Sequence, residues 1–197
     1  MAQFPSPTSA SDIWSLTDVS RAIQGQNWPV MSAYESIATT TVGAGGSSTI
    51  TFSSIPSGYR HLQVRALARG ATSDATGSFT FNSDTGTNYS WHILGGQGSL
   101  AYSAVSTTTS SMKAFGYNRG LGGTGDVVFV IDVLDYADTN KYKTIRSLWG
   151  VDSNGSGEVA LVSGNWRSTS AVTSMVFTPS GGTFSQYTHF AVYGVKG

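Results

Sequence analysis

The chain has no cysteine, which excludes disulfides and thiolate metal sites and fits assembly in a reducing cytoplasm. Charge is scarce as well. Only 11% of the 197 residues are Asp, Glu, Lys or Arg, well under the usual ~25%. Eleven basic residues balance eleven acidic ones, so no net field draws nucleic acid or an anionic membrane. No apolar run approaches the ~18 residues of a membrane-spanning helix. The start, Met1-Ala2-Gln3-Phe4-Pro5, has neither the basic residues nor the apolar stretch of a signal peptide. The expectation is a soluble protein made in the cytoplasm, reaching the outside of a cell only as part of a larger object.

What the chain does have is Ser, Thr, Asn and Gly, with 24 glycines alone; these solvate a surface without charging it. A chain of this length can bury about 70% of its unfolded surface and needs no staple. Residues 1–33 differ in character from the rest. Pro5 and Pro7 read as an extended arm, and Thr17 can cap a short helix whose first turn carries Asp18. Val19, Ala22 and Ile23 form one apolar stripe before Gly25 and Trp28-Pro29 stop the segment. Two turns of helix are marginal alone. Trp14, Leu16, Val19, Ile23 and Trp28 are therefore expected to pack, either on their own domain or, as an anchor, on a partner.

From residue 34 to residue 197 the chain changes to short β-rich runs punctuated by Gly and Ser. Twelve candidate strands can be marked, a number expected to exceed the true one by a few. They are Glu35–Val42, Thr49–Ile55, His61–Arg69, Ser78–Asn82, Tyr89–Leu94, Leu100–Ser106, Ser111–Tyr117, Val127–Leu134, Lys143–Val151, Glu158–Trp166, Val172–Thr178 and Thr188–Val195. Ile50/Phe52 and Leu62/Val64/Ala66 alternate with polar neighbours, the mark of half-buried strands. The unbroken run Val127-Val128-Phe129-Val130-Ile131 suits a central strand covered on both faces. Many short strands with turn signals between them, and no helical period, indicate an all-β sandwich or barrel and not an α/β fold. The expectation adopted is an antiparallel β-sandwich of jelly-roll type behind a short N-terminal arm and helix.

Residues for chemistry are thin. His61, His92 and His189 each sit in or beside a strand without metal-ligand spacing, and no Gly-x-Ser-x-Gly elbow occurs. Asp135 and Asp138 suit Asx turns, and both Asp152–Glu158 and Asp84–Asn88 read as hairpin turns. No metal and no cofactor is expected. A glycan-processing enzyme would need a carboxylate pair about 5–10 Å apart, and Asp132, Asp135 and Asp152 are the candidates it would draw on. Among the aromatics, Tyr89, Tyr117 and Tyr136 lie near loops and are the candidates for stacking on a host-surface sugar.

Two stretches resemble virion proteins of tailed bacteriophages. Asp12-Ile13-Trp14-Ser15-Leu16-Thr17-Asp18-Val19, closed by Trp28-Pro29, is similar to an N-terminal W-S-L … W-P segment of many phage tail-region proteins. The second stretch is the β region itself, from Ser48–Pro56 and Phe81–Ser90 through Asp135–Lys143 to the closing Phe190–Gly197. The resemblance implies a non-catalytic structural protein of the virion, made in the host cytoplasm and contacting other tail or capsid proteins. The resemblance does not fix which component; the expectation adopted is a short tail fibre or receptor-contacting appendage, with a capsid decoration protein as the alternative. Repeated copies on a symmetric particle imply a homo-oligomer, with a trimer as the expected form.

Overall fold

A computed structural model describes residues 33–70, 75–116, 126–152, 154 and 156–197, and in the N-terminal segment the helical positions Leu16, Thr17, Ser20 and Gln24. The chain divides into two compact units, Met1–Ser32 and Ala33–Gly197. In the first, Leu16 is already helical, so Thr17 lies inside the turn and does not cap it. Ser20 and Gln24 join side chains one helical turn apart.

The second unit is all β. Its strands are β1 (Tyr34–Thr41), β2 (Ile50–Phe52), β3 (His61–Ala68), β4 (Gly77–Phe81), β5 (Tyr89–Gln97) and β6 (Leu100–Thr109). They continue as β7 (Met112–Phe115), β8 (Val127–Leu134), β9 (Lys143–Val151), β10 (Glu158–Trp166), β11 (Met175–Pro179) and β12 (His189–Val195). All twelve marked segments form strands, so the expected overcount is corrected. Even the shortest, β2, is retained because Ile50 and Phe52 both point into the core and anchor it against β11.

Every pairing is antiparallel. One sheet has the order β1-β12-β3-β8-β9-β10-β5-β6, the other β2-β11-β4-β7. Without the β5–β6 and β9–β10 hairpins, β1-β12-β3-β8 faces β2-β11-β4-β7. In that arrangement β1–β2 runs against β11–β12 and β3–β4 against β7–β8, a hairpin rolled twice, which is the jelly-roll topology. The two extra hairpins join side by side through β10 and β5 and double the width of the first sheet.

The space between the sheets is filled mainly by aromatic rings. Phe177 touches Phe52, Phe79, Phe129 and Phe190, and Phe81 packs on Trp166, which stacks on Tyr89. β7 lies so close over β10 that a Cβ on Gly164 would come within 1.8 Å of Met112 Cε. A side chain at Gly164 would therefore have to displace the end of Met112. Ser147 Oγ of β9 donates to the carbonyl of Ala114 in β7 at 2.7 Å, satisfying a hydroxyl that is fully buried.

The link from β4 to β5 carries the chain from one sheet to the other, and so the Asp84–Asn88 segment is not the hairpin turn its sequence suggests. Asn82 and Ser83 take left-handed conformations there, with φ of 50° and 57°. Asn82 is held by its side-chain carbonyl, which accepts from the backbone N–H groups of Thr173 and Ser174.

Candidate functional site

The wide sheet has one face on the core and one face outside. β8 is central, but it is covered on one face only, contrary to the reading of its apolar run. Its burial alternates, and Val128 is exposed. The inward positions Val127, Phe129, Ile131 and Val133 complete the core, leaving Val128 and Val130 as outward aliphatics with no core to enter.

Because side chains alternate and the register is known, the outer face resolves into rows running across the strands. One row reads His189, Leu67, Val128, Gly150, Val159, Gly96, Ala101 from β12 to β6. The next reads Ala191, Arg65, Val130, Leu148, Leu161, Leu94, Ser103. The third reads Tyr193, Gln63, Asp132, Arg146, Ser163, His92, Val105. The first two rows are thus mainly aliphatic or glycine, with His189, Arg65 and Ser103 among them, and the third is mainly polar, ending at Val105. Leu94, Val128, Leu148 and Val159 each keep more than half of their surface exposed. A contiguous aliphatic surface of this kind on a folded domain marks an interaction site, whereas isolated exposed leucines do not.

The surface is not flat. A groove of about 550 Å³ runs past Leu67, Val128, Val130, Gly150, Val159 and Ala191. A second, of about 440 Å³, lies over Leu94, Ser103 and Val105. Leu148 of β9 borders the first and Leu161 of β10 the second, and these two residues pair directly across the strands. The pair therefore forms a ridge between two grooves.

Charges near these rows are already engaged. Arg65 stacks against the rings of Tyr34 and Tyr193, 5.3 Å from each centroid, and donates to Gln63 at 2.7 Å. Arg146 reaches Asp132 at 2.7 Å, and Gln63 donates to the other oxygen of Asp132 at 2.8 Å. At the end of β8, Asp135 adopts a φ of 47° and pairs with Lys141 and with Arg60 at 2.7 Å. The Lys141 hydrogen bond, helped by the Arg60 charge, holds the Asp135 carboxyl below its ordinary range. Asp138 makes the expected Asx turn, accepting from the Asn140 N–H at 2.8 Å.

These contacts bear on the carboxylates considered for glycan cleavage. A general acid needs a raised pKa, and Asp135 is shifted the opposite way. Asp152 follows the far end of β9, six residues beyond Arg146, the partner of Asp132. At about 3.4 Å per residue that is roughly 20 Å, too far for a catalytic pair. Asp152 accepts instead from the Asn154 N–H at 2.8 Å. Two of the histidines have structural partners: His61 Nδ1 accepts from the Asp135 N–H, and His189 bonds the Thr41 hydroxyl. Among the described residues no cluster of three His, Asp or Glu side chains could hold a metal ion, and no helix is long and apolar enough to cross a membrane.

Two of the aromatic candidates for sugar stacking, Tyr89 and Tyr136, are corrected. Tyr89 and Tyr136 are both fully buried. The Tyr89 hydroxyl accepts from the Phe81 N–H at 2.9 Å and donates to the Asp84 carbonyl, and the Tyr136 hydroxyl donates to the carbonyl of Pro56. A polar tip satisfied inside the core lets a ring near a loop be a core ring. Tyr117 lies outside the described residues, as do Trp14, Val19, Ile23 and Trp28 of the N-terminal segment. Leu16, the remaining anchor candidate, is 89% exposed. No family model matches this chain, and no curated protein or solved structure matches it significantly.

The outer-face aliphatics were missed as functional candidates. The signal was present in Leu94, Leu148, Val159 and Leu161, which sit one residue out of phase with the core positions of their strands. Alternation of two apolar sets within one strand reads as burial on both faces, because a local pattern does not say whether a further layer covers the outer one.

Proposed function

We propose that this chain is a non-catalytic structural protein of a tailed-phage virion. Its jelly-roll module serves as a short tail fibre or receptor-contacting appendage, joined to the tail through the N-terminal segment. The observation that carries the reading is the outer face of the eight-stranded sheet, where two mainly aliphatic rows lie on an aromatic-packed sandwich. Such a face suits a protein that functions by being built into a larger assembly. The low charge, the Ser/Thr/Gly-rich surface and the W-S-L … W-P resemblance of residues 12–29 support the same reading.

Immunogold electron microscopy of intact particles, with antibody against residues 34–197, tests it. Label at the tail is the expected result. Label spread over the head would replace the appendage by a capsid decoration protein, and densitometry against the major capsid protein would then give hundreds of copies per particle. Particles without label would overturn the virion reading. Deleting residues 1–33 should leave a folded β domain that no longer enters particles; continued incorporation would remove the anchoring role of that segment.

A further inference from the structure

We infer that the outer face of the eight-stranded sheet is covered by a second copy of this chain, related by a two-fold axis. The ridge and the larger groove lie side by side along one row of this face, at Leu148/Leu161 and at Val130/Ala191. A two-fold axis in the interface plane, parallel to the strands and midway between them, places the ridge of each copy in the groove of the other. The patch is thereby complementary to itself, which an isologous contact requires. Sheets stacked this way keep their strands nearly aligned, about 10 Å apart, as in any sandwich.

Area and charge agree with this occupant. Five to six strands about 4.8 Å apart and eight residues long at about 3.4 Å give a footprint of roughly 700 Å² per copy. Stable interfaces bury about 800 Å² per partner. Asp132 already pairs with Arg146, and Arg65 enters the contact as a cation stacked on two tyrosine rings and hydrogen-bonded to Gln63. The chain as a whole has no net charge to keep copies apart. A broad sheet face meets one partner across its whole width, so the contact is two-fold in place of the three-fold expected from tail symmetry.

The inference rests on the outer face being an assembly surface. Sedimentation equilibrium of the full chain between about 1 and 100 μM tests it. The expected mass is twice 20.7 kDa. Leu148→Glu and, separately, Gly150→Val should weaken association at least 100-fold with unchanged circular dichroism. Leu148 points outward, and a Cβ on Gly150 meets nothing nearer than 3.7 Å, so both variants keep the fold, and the second fills the groove where the first charges the ridge. A monomer at 100 μM, a mass of three chains, or a dimer unaffected by both substitutions would each overturn the pairing. A monomer that nonetheless labels the tail would defeat the pairing and leave the virion reading standing. A dimer broken by both substitutions, with no label on particles, would do the reverse.

Discussion

Trp166 donates its indole N–H to Asp84 across 2.7 Å, tying the end of β10 in the wide sheet to the corner that follows β4 in the narrow one. Asp84 also accepts from Asn88 and from the Gly86 N–H. The Trp166 bond is the main cause holding its carboxyl below the ordinary value of 3.8. A carboxylate depressed on folding contributes stability that is complete above its unfolded pKa and lost as pH falls through the lower folded one. Urea titrations from pH 7 down to pH 2 should therefore show stability falling below about pH 4. In Asp84→Ala that acid limb should be shallower and stability at pH 7 lower by about 2 kcal/mol, as for a hydrogen bond to a charged group. An acid limb of unchanged depth would show that Asp84 is not its source.

Tyr89 is a core residue whose hydroxyl has two backbone partners. Tyr89→Phe should cost about 1–2 kcal/mol in thermal or urea unfolding by leaving the Phe81 N–H without an acceptor. Burial, the largest cause, pushes its phenol up to about 12. Ultraviolet titration of the native protein should thus show a late tyrosine step near pH 12, and Tyr89→Phe should remove it.

Gly164 has no room for a side chain beneath Met112. Gly164→Val should destabilise by about 1–3 kcal/mol, the usual cost of overpacking. Much of that loss should return in the double variant with Met112→Ala, because the methionine end is the obstructing group. A double-mutant cycle by calorimetry measures the coupling, and strict additivity would rule out the contact.

Lys143 is fully buried, and its ammonium donates to the carbonyls of Asp138, Lys141 and Thr169. Three carbonyls from two loops are gathered by one cation. Lys143→Met retains much of the volume but strands these acceptors, and should cost about 3 kcal/mol in urea unfolding. Loss of under 0.5 kcal/mol would mean that water replaces the ammonium without penalty.

Much of the β scaffold was legible. The segments read as β3, β8, β9 and β10 match the strands almost to the residue, β3 through its alternation and β8 through its unbroken apolar run. What could not be read locally is the sheet to which a strand belongs. Nothing in Tyr89–Gln97 says that it pairs with β10 and not with the preceding β4, since that choice is made by the Asn82–Ser83 corner and by Tyr89 itself reaching back to Phe81. The interaction surface was hidden for a related reason. Val127–Ile131 is apolar on both faces of its strand, and an apolar residue waiting for another molecule has the same chemistry as one already in a core. Tyr89 and Tyr136 misled in the opposite direction, their place near loops suggesting exposed rings where backbone partners let the hydroxyls be buried.

The pairing of β1 with β12 has a consequence for how the molecule is made. Residues at opposite ends of the β unit, such as Thr39 and Ala191, are neighbours in the sheet. β12 lies between β1 and β3 and must insert between two strands synthesised more than a hundred residues earlier. On the ribosome, β1 and β3 therefore wait with open edges until the last strand emerges, and refolding should be slow, in the millisecond-to-second range of non-local β topologies. A truncated or stalled chain would leave two adhesive edges exposed, which makes the final strand the step on which aggregation and correct closure compete.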